Sequence, residues 1–168
     1  HAEFVRECCQ CIGQQERLEV LVKYFDFKKT RSAQYDVALC LNVLHHIGDD
    51  FGDTKITISQ AKDEVACQLR RLSRISTLAW FQIGFNWKGN PSLPLFETGT
   101  KTEVIEFVKA ACMNSWEVAE ISVHNPESGA YEDISPRLLK RFENSGEFLN
   151  RPLLLLRSLR QPEIFQSK

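Results

Sequence analysis

Residues 35–50, YDVALCLNVLHHIGDD, restrict what this chain can fold into more than any other stretch. An acid, Asp36, leads an unbroken apolar run over residues 37–41, which stops at Asn42. Two adjacent histidines, His45 and His46, and an acidic Gly-Asp-Asp turn follow. A run of this length and composition suits a strand covered on both faces, as in a parallel sheet, so it is expected at the centre of one. Its polar end leaves three chemistries open: a metal site, a catalytic base or a cofactor shelf.

The rest of the pattern surrounds that strand with alternating elements. Residues 2–16 read as a helix with Phe4, Val5, Cys8, Cys9 and Ile12 on one face. Residues 18–25 read as a strand closing on Asp26, and residues 28–34 as a polar connection. Residues 58–75 place Ile58, Ala61, Val65, Leu69, Leu72 and Ile75 at helical spacing. A strand over residues 78–85 runs into the Gly/Pro-rich NWKGNPSLPLFETG, and Thr100 with Glu103 forms a capping-box pattern opening a helix to Cys112. Residues 116–123 and 152–159 read as strands; between them lies a loop-rich stretch with one helical turn around residues 137–142. Helices between strands imply right-handed crossovers and a mostly parallel sheet with helices on both faces; the last two strands, with no helix between them, suit an antiparallel edge. The expected organisation is one α/β domain over residues 1–160 and a tail over 161–168.

Composition narrows the partners. With 43% hydrophobic and 26% charged residues the chain has the balance of a soluble globular domain. A formal net charge of −1 provides no global field for nucleic acid or an anionic membrane. No apolar run approaches the ~20 residues of a membrane helix. The six cysteines fall on a helix, in an apolar strand and on apolar helix faces, a placement that points to buried free thiols in a reducing, cytoplasmic compartment rather than to disulfides. Cys8 and Cys11 have no second pair to complete a zinc site, so no metal is expected.

In open α/β sheets ligands bind beyond the C-terminal ends of the strands. Asp26, Asn42, His45, His46, Asn86, Trp87 and Lys88 all fall at such ends. Adjacent histidines point in different directions, so His45 and His46 do not make the usual i, i+4 zinc pair; one is a structural histidine or either is a proton acceptor. Asn86, Trp87 and Lys88 suit a substrate, with the aromatic ring stacking and the lysine neutralising an anion; the alternative is a Trp packed over the sheet edge. In GEFLNRPLLLL, Arg151 is expected to pair with Glu147 as the chain enters its last strand.

The segments VLVKYFDF and YDVALCLNVLHHIGDD together resemble class I S-adenosylmethionine-dependent methyltransferases. The close match covers roughly residues 20–50, and the order of elements extends it to nearly the whole chain. The resemblance implies a Rossmann-like sheet whose final strand inserts antiparallel to the others. It implies an adenine contact from Asp26 with Phe25 or Phe27 beside the ring, and a shelf of Leu41, Asn42 and Val43 under the methionine part. His45 or His46 would be the base for an acceptor that must lose a proton. The family's glycine-rich loop is not found before Asp26, nor is the acid that holds the ribose hydroxyls, so the chain looks like such an enzyme lacking its first strand-helix-strand unit. The expectation is methyl transfer from S-adenosylmethionine to a small-molecule or glycan-like acceptor. The 168 residues alone should bind the cofactor weakly or not at all, transfer no methyl group, and be marginally stable or self-associate through an exposed sheet edge. A non-catalytic ligand- or partner-binding module of the same fold is the alternative. Another doubly wound nucleotide-binding enzyme would need its own glycine fingerprint, which is also missing.

Overall fold

The computed structural model describes residues 2–14, 16–21, 25–26 and 35–160. Phe27 and the tail over 161–168 lie outside them. The fold is α/β: helix α1 (Ala2–Cys11), strand β1 (Tyr35–Leu41), helix α2 (Ile58–Leu72), strand β2 (Ser76–Gln82), helix α3 (Lys101–Cys112), strands β3 (Trp116–Asn125) and β4 (Ala130–Asp133), a helical turn α4 (Gly146–Leu149) and strand β5 (Leu153–Ser158). The five strands form one mixed sheet in the order β1-β2-β5-β3-β4.

The sheet is not mostly parallel. Only β1 and β2 pair in parallel; β2 with β5, β5 with β3 and β3 with β4 are antiparallel. The cause is β5, which enters between β2 and β3 against the direction of both, and β4, which returns from β3 as a hairpin closed by Gly129 at φ +70°. That hairpin lies in the stretch read from sequence as loop.

Nor is β1 central. It forms an edge of the sheet, and its alternate residues Val37 (49% exposed) and Leu39 (70%) face outward on one side. Its other face is ordinary core: Ala38 and Cys40 lie opposite Ala79 and Phe81 of β2, which lie opposite Leu156 and Leu154 of β5. Onto that face pack Ala61, Val65, Leu69 and Leu72 of α2 and Val104, Val108, Ala111 and Cys112 of α3. Both helices therefore lie on one side, whereas helices on both faces were expected. Among the described residues α1 makes no extensive packing with any strand, and its Phe4, Cys8, Cys11 and Ile12 are exposed; only Cys9 is buried. The helix is amphipathic in sequence, but its apolar stripe is open. All six thiols are free, and those of Cys40 and Cys112 are pushed up to about 12 by burial, which keeps them protonated and inert. No helix among the described residues is long and apolar enough to cross a membrane.

The caps show how local chemistry sets element ends. Thr57 and Gln60 form a complete capping box at the start of α2, each side chain reaching the other's backbone N–H. At α3 the expected box is half made. Thr100 accepts from Glu103 N–H, but the Glu103 carboxylate turns to the backbone N–H groups of Glu97, Thr98 and Gly99 and to the Thr98 hydroxyl. Burial opposes its charge, yet these donors outweigh it and hold the carboxyl below its ordinary range. The described residues of the expected strand over 18–25 form no strand.

Candidate functional site

The C-terminal ends of β1 and β2 lie side by side, because Leu41 is in register with Gln82. Just beyond, Asn42 takes a left-handed backbone (φ +59°), which asparagine tolerates better than most residues. This turns the chain out of the strand and into the short 3₁₀ turn Leu44–His46. Both ends of the Asn42 amide are committed. Its Nδ2 donates to Gln82 Oε1 at 2.8 Å, and its Oδ1 accepts from Arg151 Nη1 at 2.6 Å. The Asn42 side chain is thus a fastener between the two strand ends.

Arg151 joins the parts. It sits two residues before β5, donates through Nη2 to Glu147 Oε1 at 2.7 Å, and is largely buried. Glu147 Oε2 accepts from Asn86 Nδ2 at 2.9 Å. Burial raises the cost of a charge on Glu147, but Arg151, Asn86 and the Phe85 backbone N–H together hold its carboxyl below the ordinary value. Gln82 completes the set by donating to the Arg151 carbonyl at 3.0 Å and to the Tyr131 hydroxyl at 3.3 Å. The expected Arg151–Glu147 pair is present; its extension to Asn42 and Asn86 was not legible, because these contacts span 109 and 61 positions. The hint in sequence is Gln82, a polar residue inside the apolar WFQIGF.

The two histidines have different surroundings. His45 is 1% exposed and lies against Gly84 so closely that a Cβ there would meet its ring at 2.8 Å. Its Nδ1 accepts from Gly84 N–H at 3.3 Å, so the neutral ring carries its proton on Nε2. Burial, then the neighbouring His46 and Arg151, push it down to about 4. His46 is 30% exposed, its ring 4.3 Å from that of His45, with Nδ1 3.5 Å from Asp50 Oδ2 and 4.0 Å from Asp49 Oδ2. Of the two, His46 is the one that a ligand can reach. His46, Asp49 and Asp50 bring ligand atoms within 4.8 Å of one another, but both carboxylates are exposed, an arrangement common without an ion.

Trp87 is buried against Gly48, and its Nε1 donates to Ile47 O at 2.6 Å. Lys88 Nζ stands 4.3 Å above the Trp87 ring. Hydrogen bonds from Trp87 N to Leu93 O and from Leu95 N to Phe85 O fold the Gly/Pro-rich segment back on itself. The Trp87 ring therefore packs inside the loop, Asn86 faces Glu147, and Lys88 is the member of this trio with a head group near solvent.

Asp26 and Phe25 lie apart from the polar cluster, at a cavity of about 720 Å³ walled by Ile47, Phe51, Ile56, Gln60 and Glu64. An aromatic and aliphatic lining interspersed with the carboxylates of Asp26, Asp53, Asp63 and Glu64 suits a flat heteroaromatic ring bearing an amino group. Leu41 and Val43 are 40% and 44% exposed on either side of Asn42.

Comparison with family models, with curated proteins and with solved structures returns no match to this chain.

Proposed function

We propose that this chain is a methyltransferase-type module in which S-adenosylmethionine lies across the ends of β1 and β2 and gives its methyl group to a small-molecule or glycan-like acceptor. One observation carries the reading. The last strand runs antiparallel between β2 and β3, as the resemblance implies, and the segment before it ties down the turn at Asn42. The donor set fits the cofactor in part. Asp26 and the cavity beside it suit adenine, and the backbone at Leu41, Asn42 and Val43 suits a shelf for the methionine part. Phe25, at the same cavity, would stand beside the ring. The cofactor, when bound, supplies an electrophilic methyl group on a sulfonium.

The chain's own residues then have separable tasks. The Arg151–Asn42–Gln82 clamp fixes the shelf, so the backbone needs no reorganisation when a ligand arrives. His46 takes the proton from the acceptor, since its ring reaches solvent beside the carboxylates of Asp49 and Asp50. His45 stays neutral and holds the Gly84 turn. Asn86, Trp87 and Lys88 shape the acceptor side, Trp87 by bracing the loop and Lys88 by offering a charge. A non-catalytic module would keep the clamp and dispense with His46.

The test is a titration of isotope-labelled protein with S-adenosylmethionine, followed by amide shifts, which reads binding into the millimolar range. The reading predicts saturable shifts at Asp26 and Leu41 to Val43. It also predicts that Asp26→Ala weakens binding roughly 10- to 150-fold, the loss of one charge-assisted hydrogen bond. No saturable shift, or an unchanged affinity in a folded Asp26→Ala variant, contradicts it. If His46→Ala keeps the affinity and abolishes transfer, the chain is an enzyme; if binding occurs without transfer to any acceptor, it is a binding module.

A further inference from the structure

We propose that Tyr131 and Phe148 form the acceptor subsite, and that it takes a neutral sugar ring stacked on their aromatic faces beside Arg151. Its role as acceptor rests on the methyltransferase reading above; the binding of a sugar there does not. Trp87, the aromatic residue expected to stack on a substrate, is 7% exposed and packed inside its own loop. The platform must come from elsewhere, and two rings hang on the network that fixes the strand ends. Tyr131 of β4 is 36% exposed, and its hydroxyl accepts from Gln82 Nε2 at 3.3 Å. Phe148 of α4 is 56% exposed, and its ring centre lies 5.8 Å from the Arg151 guanidinium carbon. The two are joined through Gln82, which also donates to the Arg151 carbonyl at 3.0 Å. Phe148 follows Glu147, whose carboxylate holds Asn86, so this subsite continues the acceptor side already described.

The polar groups on offer select the ligand. The Tyr131 hydroxyl accepts from Gln82 and keeps its hydrogen to donate. Two further polar atoms of the cluster are buried and, among the described residues, have no hydrogen-bond partner: Arg151 Nε and His124 Nδ1. His124 lies opposite Tyr131 in the sheet, the rings 5.8 Å apart and edge-to-face. A buried polar atom left unpaired costs free energy, so a ligand group that reaches it, directly or through a water, gains affinity. A hydroxyl both donates and accepts and so serves all three atoms. Charge does not help, because Arg151 is already paired with Glu147 and both its terminal nitrogens are in use. The C–H face of a sugar ring carries the positive polarity that an aromatic face attracts, and its rim carries the hydroxyls. A neutral sugar meets both demands.

The test titrates isotope-labelled protein with the methyl glycosides of glucose, galactose, mannose and N-acetylglucosamine. Each is taken to about 50 mM, and ring and amide shifts then read dissociation constants in the millimolar range. The expected result is saturable shifts at both Tyr131 and Phe148 with at least one glycoside. Tyr131→Leu and Phe148→Ser should each weaken that binding at least about fivefold. Tyr131→Phe, which keeps the ring, should weaken it less than Tyr131→Leu. Met113→Ser, at an exposed apolar residue beyond α3, should leave it unchanged. Both rings are partly exposed, so the variants should keep their far-ultraviolet circular dichroism and their affinity for S-adenosylmethionine. The proposal is overturned by the absence of saturable shifts with every glycoside, or by tighter binding of glucuronate or glucosamine than of the neutral sugars. Loss of S-adenosylmethionine binding in folded Tyr131→Leu or Phe148→Ser also overturns it, since the rings would then serve the cofactor. Sugar binding without any S-adenosylmethionine binding would overturn the methyltransferase reading alone and uphold the sugar site.

Discussion

The two flanks of β2 look alike in sequence and differ in the molecule. On one side runs β1, with the apolar VALCL; on the other runs β5, with PLLLL. Leu154 and Leu156 of β5 are fully buried, packed between strands and under helices. In β1 only Cys40 reaches that state, and Leu39 stands largely in water. An apolar run therefore states that a strand wants cover on both faces. It does not state whether the same chain provides it. At their C-terminal ends the two flanks are stitched together, because Arg151, next to β5, holds Asn42, next to β1.

The largest expected effect separates the flanks directly. Leu154→Ala empties core space and should cost about 2–5 kcal/mol. Leu39→Ala, measured by denaturation in the same way, should cost no more than about 0.5 kcal/mol, since Leu39 is 70% exposed. Similar costs at both positions would mean that β1 is covered within one copy and that the contrast is false.

A smaller effect belongs to the stitched ends. His45 has its folded value lowered to about 4, from an ordinary 6.5, so protonation favours the unfolded chain. Its contribution to stability is complete above pH 6.5 and is lost as the pH falls from there toward 4, up to about 3 kcal/mol in total. The Glu147 carboxyl, held low, acts in the same direction at the acid end, since its pairing is lost once it is protonated. Unfolding free energies measured across this range should therefore fall with pH, and His45→Gln should flatten the upper part of the slope. An unchanged slope would show that His45 is not held neutral under Gly84.

The third effect tests the stitch alone. Arg151→Met leaves Glu147 without its cation and Asn42 Oδ1 without its donor, and should cost about 1–3 kcal/mol. Crosspeaks of Asn42 and Asn86 should both move, since both hang on the same pair. A shift at one alone would break the network into separate contacts.

These contrasts also show what a sequence can carry. The helix and strand periods of α2, α3, β3 and β5 were legible because each has a full apolar face, and the Arg151–Glu147 pair because it spans a single turn. The place of β1 was not, because edge and centre differ in neighbours and not in composition. The β4 hairpin was hidden because its residues are mostly polar and exposed. At the site, the strand-end asparagines and histidines could be found, but their jobs could not. Asn42 and Asn86 are bound through partners far along the chain, and only packing against Gly84 distinguishes His45 from His46.

Hydrogen exchange at three amides tests the account most directly. The N–H groups of Val37, Leu39 and Leu41 point away from β2, while those of Leu154 and Leu156 lie inside the sheet. The account predicts slow exchange in β5 and fast exchange at the three β1 amides. Protection of the three β1 amides equal to that of β5 would place a cover on β1 and contradict the account.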